Sequence, residues 1–180
     1  MPLYFLRHVK TENNEMKMFS GALETEVLTN QKIIYPDEIF KFDYLFSSAS
    51  KRCIETIKLI PSHLIENAEI VYTNNLMERR LGKLEGMNKD QAQRLYPQCF
   101  DENRLDVNAQ ILGMESLSDV KNRVSDLVTD ILEKSRNSNC LICSHNQTLK
   151  IVFSIMTNQH IDNKYWKNLD FDNGVITKIL

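Results

Sequence analysis

The sequence predicts an α/β fold in which strands and helices alternate along one chain. Short apolar runs bounded by polar or turn-forming residues are typical of strands, and helical patterns separate them. Such alternation indicates a layered α/β domain, and no linker rich in proline, glycine or serine divides the 180 residues. We therefore expect a single domain over residues 1–180. The predicted strands are residues 3–6, 44–47, 69–72, 141–144 and 175–179.

The predicted helices follow from apolar residues spaced three and four apart. The clearest one covers about residues 116–134, and its apolar stripe should pack on the sheet. Residues 115–119 supply side-chain acceptors for its amino-terminal cap, although they lack the full capping-box pattern. The other predicted helices are residues 51–59, 90–95 and 148–156.

The composition excludes some partners and locations. Lys and Arg total 22 against 24 Asp and Glu, a net charge of −2, so there is no basic field for binding nucleic acid. The four cysteines are too few for a disulfide framework, and we expect reduced thiols. The amino terminus lacks a secretory pattern and no segment has membrane-spanning length, so we expect a cytoplasmic protein with no membrane partner.

The most informative segment is the first predicted strand, because it stops on an adjacent Arg7-His8 pair. Open α/β sheets place their ligands at the carboxyl ends of strands. Arginine there suggests an anionic ligand, and histidine suggests chemistry on that ligand. A strand that has simply reached the surface also explains an isolated pair, so partners elsewhere in the chain must decide.

Polar side chains follow three later strands in the same way. Arg52 falls at the start of a predicted helix after the second strand, a position that suits a phosphate group. Glu78 lies in a charged loop after the third strand, and His145 follows the fourth. Because the predicted architecture puts strand ends along one edge of the sheet, these residues are expected to lie near Arg7 and His8.

Together with their neighbours, these residues resemble the histidine phosphatase superfamily, also called phosphoglycerate-mutase-like. Residues 6–14 match the family pattern L-R-H-G-x-T-x-x-N at every specified position except Val9. The resemblance implies a three-layer α/β/α fold with a mostly parallel central sheet flanked by helices. The other similar segments, in family order, are residues 19–29, Ser47-Ser48 with Arg52 and Thr56, residues 76–86, residues 113–124 and Ser144-His145.

The resemblance also implies a role for each polar residue. His8 is the expected nucleophile, which forms a phosphohistidine. Arg7, Arg52 and His145 are expected to surround the transferring phosphoryl oxygens, so that no metal ion or other cofactor is needed. Glu78 is expected to protonate the leaving group and then to activate water. Further phosphate-binding residues that the resemblance implies are Asn14, Ser20, Gly21 and Asn146.

Three residues depart from the family pattern. Val9 and Asn146 stand where the family usually has glycine, and Lys150 replaces a late arginine. If position 9 needs a positive φ, a β-branched residue there is strained by roughly 1 to 2 kcal/mol. Asparagine tolerates the left-handed region better than most residues, and lysine keeps the charge but loses the bidentate fork.

We therefore expect an active, metal-independent phosphomonoesterase that acts on a small phosphorylated metabolite, with a phosphoprotein substrate left open. A phosphoglycerate-type mutase is the main alternative, although such mutases are typically longer. Further alternatives are a phosphate- or phosphoprotein-binding regulatory module and a metal hydrolase that uses His8, His145 and Glu78. Residues 87–112 are interpreted as a lid or specificity segment, or else as an ordinary surface segment. The sequence specifies neither the substrate nor the oligomeric state.

Overall fold

The computed structural model describes residues 1–39 and 41–180. Its strands are β1 Leu3–Arg7, β2 Tyr44–Ser48, β3 Glu69–Thr73, β4 Phe100–Asp101, β5 Arg104–Leu105, β6 Cys140–Ser144 and β7 Ile176–Lys178. The central sheet has the order β3-β2-β6-β1-β7, with β7 antiparallel at one edge and the other strands parallel. A separate hairpin pairs β4 with β5. The predicted strands and the mostly parallel sheet are confirmed.

Helices fill the connections between these strands. They are α1 Glu12–Glu15, α2 Lys51–Ile57, α3 Ser62–Ile65, α4 Lys89–Leu95, α5 Leu117–Ser135, α6 Asn146–Met156 and α7 Asn163–Asn168. The predicted helices are confirmed as α2, α4, α5 and α6, with their bounds shifted by one or two residues. The shift matters at α6. This helix begins directly after His145, so its first turn lies at the carboxyl end of β6.

The core lies on both faces of the central sheet, because alternate residues of a strand point to opposite sides. Leu3 and Phe5 of β1 pack with buried residues of α5, α6 and α7 on one face. Tyr4 and Leu6 pack with buried residues of α2 and α3 on the other face. Helices therefore cover both faces, and the predicted three-layer α/β/α arrangement is confirmed.

The long helix α5 begins with a capping box. The Ser116 side chain accepts from the backbone N–H of Asp119, and the Asp119 carboxylate accepts from the backbone N–H of Ser116 at 3.0 Å. The sequence pattern lacked the Glu or Gln that usually occupies this position. The shorter aspartate makes the same reciprocal contact, so the helix start is fixed more firmly than the sequence indicated.

Residues 87–112 carry α4 and the β4–β5 hairpin. They enclose a small apolar cluster that includes Leu84, Ala92 and Leu105. Arg104 of this segment forms an ion pair with Asp170 at 2.8 Å, which joins the segment to the loop after α7. The segment is therefore folded against the rest of the chain, and its action as a lid stays a prediction.

The four cysteines are buried and carry free thiols, as expected. Two of them, Cys140 and Cys143, lie within β6. Within residues 1–39 and 41–180, no helix is both long enough and apolar enough to cross a membrane.

Candidate active site

The carboxyl ends of four parallel strands meet at one edge of the sheet and border a cavity of about 120 Å³. The end of β1 contributes Arg7 and His8, the first turn of α2 contributes Arg52, and the loop after β3 contributes Glu78. The predicted site residues that line this cavity are Arg7, His8, Asn14, Ser20, Gly21, Arg52, Glu78 and Asn146. The structure thus brings together every predicted site residue except His145. The His145 ring does not line the cavity and lies behind Arg52, which does.

His8 is almost fully buried, with 5% of its surface exposed. Its Nδ1 lies 2.7 Å from the backbone carbonyl oxygen of Val9. Because a carbonyl only accepts, Nδ1 carries the proton and donates it, which leaves a free lone pair on Nε2. Burial lowers the pKa of His8 well below its usual value, and the charges of Arg52 and Arg7 lower it further. A neutral imidazole with an unprotonated nitrogen is the form that a histidine nucleophile requires.

Val9 fits its position without a positive φ, so the expected strain does not arise. Its backbone N–H donates to Oγ1 of Thr56 at 3.0 Å, and its side chain is fully buried. The glycine that packs against Val9 is Gly174, which has a φ of +72°. A Cβ on Gly174 would lie 3.1 Å from Cγ1 of Val9 and 3.1 Å from the carbonyl oxygen of Lys32. The Val9 side chain therefore occupies space that Gly174 leaves open because it has no Cβ.

Arg52 is buried and held by three acceptors. Its two terminal nitrogens donate to the carbonyl oxygens of Leu23 and Gly21, at 2.6 and 2.8 Å. Its Nε donates to Nδ1 of His145 at 3.1 Å. A guanidinium has five N–H groups, so two remain for a ligand in the cavity. The three contacts fix the plane in which those two groups point.

His145 is fully buried behind Arg52, and its ring centre lies 5.2 Å from that of His8. Its Nδ1 accepts from Arg52, so the proton lies on Nε2, which donates to Oγ of Ser48 at 2.9 Å. Burial, followed by the charge of Arg52, lowers the pKa of His145 well below its usual value. This differs from the predicted direct contact with phosphoryl oxygens, because both ring nitrogens already have protein partners.

Arg7 donates through Nη1 to the carbonyl oxygen of Phe171 at 2.9 Å. Its Nε is buried and has no hydrogen-bond partner among residues 1–39 and 41–180. Burial lowers the pKa of Arg7, whereas the carboxylates of Glu78, Asp170 and Asp172 raise it. Buried donors without a partner are rare in proteins. The Arg7 guanidinium also lines the cavity, and such a group is suited to an anionic ligand.

Glu78 lies at the amino terminus of α6 and accepts hydrogen bonds with both oxygens. Oε1 accepts from the backbone N–H groups of Arg79 and Thr148, at 2.9 and 3.1 Å, and lies 3.2 Å from Oγ1 of Thr148. Oε2 accepts from the backbone N–H of Gln147 at 3.3 Å. These donors include two of the free N–H groups that begin a helix. They fix the carboxylate at the cavity edge and engage Oε1 more than Oε2.

Asn14 and Gly21 also line the cavity. Oδ1 of Asn14 accepts from the backbone N–H of Thr11 at 3.1 Å and closes the capping box of α1. Gly21 has a φ of +49°, and a Cβ there would collide with the carboxylate group of Glu85. Only glycine fits that position, and its carbonyl oxygen is one of the acceptors that hold Arg52.

Asn146 and Lys150 form a network with Asp170 at the cavity rim. Asn146 donates to Asp170 at 2.9 Å and accepts from the backbone N–H of Phe171 at 3.1 Å. Nζ of the buried Lys150 lies 2.8 Å from Asp170 and donates to the carbonyl oxygen of Trp166 at 2.7 Å. Burial raises the pKa of Asp170, but the hydrogen bonds from Asn146 and Lys150 outweigh it and lower the pKa to about 2. A lysine suffices here because it serves one carboxylate oxygen as a point charge.

Five further residues line the cavity that sequence reasoning did not assign to it. They are Met18, Phe19, Leu81, Lys89 and Gln147. Lys89 lies at the start of α4, in the segment interpreted as a lid, and it also lines an adjoining cavity of about 430 Å³. Its place in that segment was the one available signal. The apolar residues among the five have no chemical feature that distinguishes them from core residues.

Comparison with known proteins gives a consistent family. The sequence profile of the histidine phosphatase superfamily (branch 1) matches residues 3–180. Phosphoserine phosphatase 1 of Hydrogenobacter thermophilus is 24% identical over 172 residues, which cover 91% of this chain and 79% of that protein. A phosphoglycerate mutase of Schizosaccharomyces pombe is 29% identical over 162 residues, which cover 82% of this chain and 75% of that protein.

The fold is also similar to that of Bacillus stearothermophilus YhfR. The two structures superpose with a TM-score of 0.80 at 20% identity, over 98% of this chain and 89% of that one. The profile covers nearly the whole sequence, and the superposition extends over the same elements. The chain belongs to the histidine phosphatase superfamily, branch 1.

Proposed function

We propose that this protein is a metal-independent phosphomonoesterase that acts through a phosphohistidine on His8. The observation that carries the proposal is the state of His8. Its neutral ring presents an unprotonated Nε2 beside the guanidinium groups of Arg7 and Arg52 in one cavity. Several relatives are named as phosphatases, which supports phosphate release as the reaction.

In the first step, Nε2 of His8 attacks phosphorus as the bond from phosphorus to the ester oxygen breaks. Glu78 gives its proton to the leaving oxygen and becomes a carboxylate. The guanidinium groups of Arg7 and Arg52, which line the cavity, are suited to the phosphoryl oxygens, whose charge they offset. Positioned guanidinium groups do this without a metal ion.

In the second step, water attacks the phosphohistidine. Glu78 takes a proton from the water, the bond from phosphorus to Nε2 breaks, and inorganic phosphate leaves with His8 regenerated. Glu78 thereby recovers the proton that it lost in the first step, so the cycle is balanced. One carboxyl group serves both half-reactions because each moves a proton at the same edge of the cavity.

We propose that His145 acts on catalysis through Arg52. A neutral Nδ1 is the acceptor that orients Nε of Arg52, whereas a protonated ring would repel the guanidinium. Asn14, Ser20, Gly21 and Asn146 line the same cavity, and we assign them to the phosphate pocket.

The substrate is proposed to be a small phosphorylated metabolite in the cytoplasm. The adjoining cavity shares Arg7, Lys89 and Asn146 with the catalytic one, and its volume of about 430 Å³ suits a small leaving group. The buried free thiols agree with a reducing compartment.

A phosphate-release panel tests the proposal. Wild type should release phosphate from phosphomonoesters in the presence of a chelator, and rapid acid-free quenching should trap a phosphoenzyme. The variant His8→Ala should lose both. His63→Ala, which alters an exposed histidine of α3, is the matched control and should retain both. Phosphate release by a clean preparation of His8→Ala would falsify the assignment of the nucleophile.

A phosphomutase is the second candidate, since a relative named phosphoglycerate mutase is 29% identical. A mutase returns the phosphoryl group to the substrate and does not give it to water. Isomerisation of 3-phosphoglycerate that exceeds phosphate release would favour the mutase. Binding of phosphate without a trapped phosphoenzyme would instead indicate a regulatory module.

A further inference from the structure

The hydroxyl group of Thr148 lies between two acceptors. Oγ1 is 2.8 Å from the backbone carbonyl oxygen of Met77 and 3.2 Å from Oε1 of Glu78. A threonine hydroxyl has one proton, so it donates to one of these oxygens at a time. Thr148 is fully buried, and water therefore does not compete for that proton.

The hydroxyl can turn from one acceptor to the other without leaving a buried carbonyl unpaired. The carbonyl oxygen of Met77 also accepts from Nη2 of Arg123 at 2.8 Å. When the Thr148 proton points to Glu78, Met77 keeps the bond from Arg123. The penalty for an unsatisfied buried acceptor is thereby avoided.

We propose that Thr148 is a positioning residue that stabilises the carboxylate state of Glu78, and that Oε2 is the oxygen that exchanges the proton. The carboxylate state receives the hydroxyl bond on Oε1. When Oε2 carries the proton, Oε1 is a weaker acceptor and the hydroxyl turns to Met77. The backbone N–H groups of Arg79 and Thr148 hold Oε1 in both states, whereas Oε2 has a single longer contact, with the backbone N–H of Gln147 at 3.3 Å.

This inference rests on the proposed acid and base role of Glu78. Loss of the hydroxyl removes a donor from the ionised state of Glu78 and therefore favours its protonated state. Several charged or titratable groups face Glu78 from the cavity, the neighbouring loops and α5. They are Arg7, His8, Arg52, Arg79, Arg80, Lys89, Glu115 and Arg123. All of them are unchanged in the variants below, so a difference between pH profiles reports the Thr148 hydroxyl.

The test is the pH profile of kcat/KM for glycerol 2-phosphate, an alkyl ester whose leaving oxygen needs a proton. The limb that reports the proton of Glu78 is identified by experiment, as the limb that Glu78→Gln removes. Thr148→Val should move the limb upward by about 0.5 to 1 pH unit, a three- to tenfold rise in kcat/KM above the wild-type limb. Thr148→Ser should restore the wild-type limb, because serine keeps the hydroxyl.

Two controls separate this effect from a structural one. Ser154→Ala removes another buried hydroxyl of α6, which donates to the carbonyl oxygen of Ile151 at 2.7 Å, and should leave the limb in place. With p-nitrophenyl phosphate, whose leaving group needs no proton, Thr148→Val should change kcat/KM and its pH profile much less than it does with glycerol 2-phosphate. If the valine variant does not fold, Thr148→Ala gives the same comparison.

An unshifted limb in a folded Thr148→Val or Thr148→Ala variant overturns the inference, whether or not the rate falls uniformly. A limb that survives in Glu78→Gln at full rate overturns the role of Glu78 in the proposed function instead. The two failures are therefore distinguishable in one set of profiles.

Discussion

Truncation of Val9 should lower the free energy of unfolding. Wild type should be the most stable, Val9→Ala less stable and Val9→Gly the least stable. The side chain of Val9 is fully buried and packs in the apolar cluster that contains Tyr4 and Leu6. Its backbone has no positive φ, so glycine offers no conformational relief at this position. The family pattern has glycine there, and a comparison limited to sequence would predict the opposite order.

The magnitude follows from the buried groups that each variant loses. Val9→Ala removes two methyl groups at about 0.8 kcal/mol each, and the cavity left behind raises the total to about 2 to 3 kcal/mol. Val9→Gly adds about 0.5 to 1 kcal/mol for the greater backbone freedom of the unfolded chain. For a chain of this length, 2 kcal/mol corresponds to a fall in Tm of about 4 to 8 °C.

Urea unfolding followed by circular dichroism at neutral pH measures both variants against wild type. The same samples should retain phosphate release, since His8 contacts the carbonyl oxygen of Val9 and not its side chain. A glycine variant as stable as the alanine variant, or more stable, would refute the reasoning. That result would mean that valine is strained at position 9.

Other predictions concern buried charge and pH. Burial lowers the pKa of both His8 and His145 in the fold, so below about pH 6.5 the unfolded chain binds protons that the folded one does not. The unfolding free energy should therefore fall as pH drops from 6.5, by up to about 1.4 kcal/mol per pH unit for each histidine, and substitution of either by Gln should flatten that slope in urea titrations. Arg79→Met should lower the unfolding free energy by about 2 to 4 kcal/mol, because the buried guanidinium donates to the carbonyl oxygens of Glu115, Val107 and Ala109, and a loss below 0.5 kcal/mol contradicts this. Asp170→Asn should cost about 1 kcal/mol from pH 5 to 8 after discount for solvent screening, and the cost should shrink as pH falls from about 4 and be lost only below about pH 2, because the pKa of Asp170 is lowered to about 2. A difference between Asp170→Asn and wild type that is as large at pH 2 as at pH 6 counts against that assignment.

The parts of the site that the sequence predicted are those marked by a polar side chain at the end of an apolar run. Arg7, His8, Arg52 and Glu78 all carry that mark, and the parallel sheet brings them to one cavity. His145 carries it too, yet its position behind Arg52 depends on which way two adjacent rings and a guanidinium turn. Side-chain direction of this kind follows from packing, which a pattern of residue types does not specify.

Backbone groups make up most of what the sequence could not predict. The carbonyl oxygens of Val9, Gly21, Leu23 and Phe171 hold His8, Arg52 and Arg7 in place. Since every residue has a carbonyl group, no residue type marks these four positions. They are found only when the chain has been folded.

The loop after α7 shows why the Arg7-His8 pair is uninformative in isolation. The Asn173 side chain donates to the carbonyl oxygen of His8 at 2.7 Å, and Phe171 accepts from Arg7 at 2.9 Å. These partners lie about 165 residues along the chain from the pair that they orient. Closing so long a loop costs entropy that short-range contacts do not. The contacts that orient Arg7 and His8 therefore form only when the segment before β7 has docked beside β1. Until then the Arg7-His8 pair is the end of a strand and not a site.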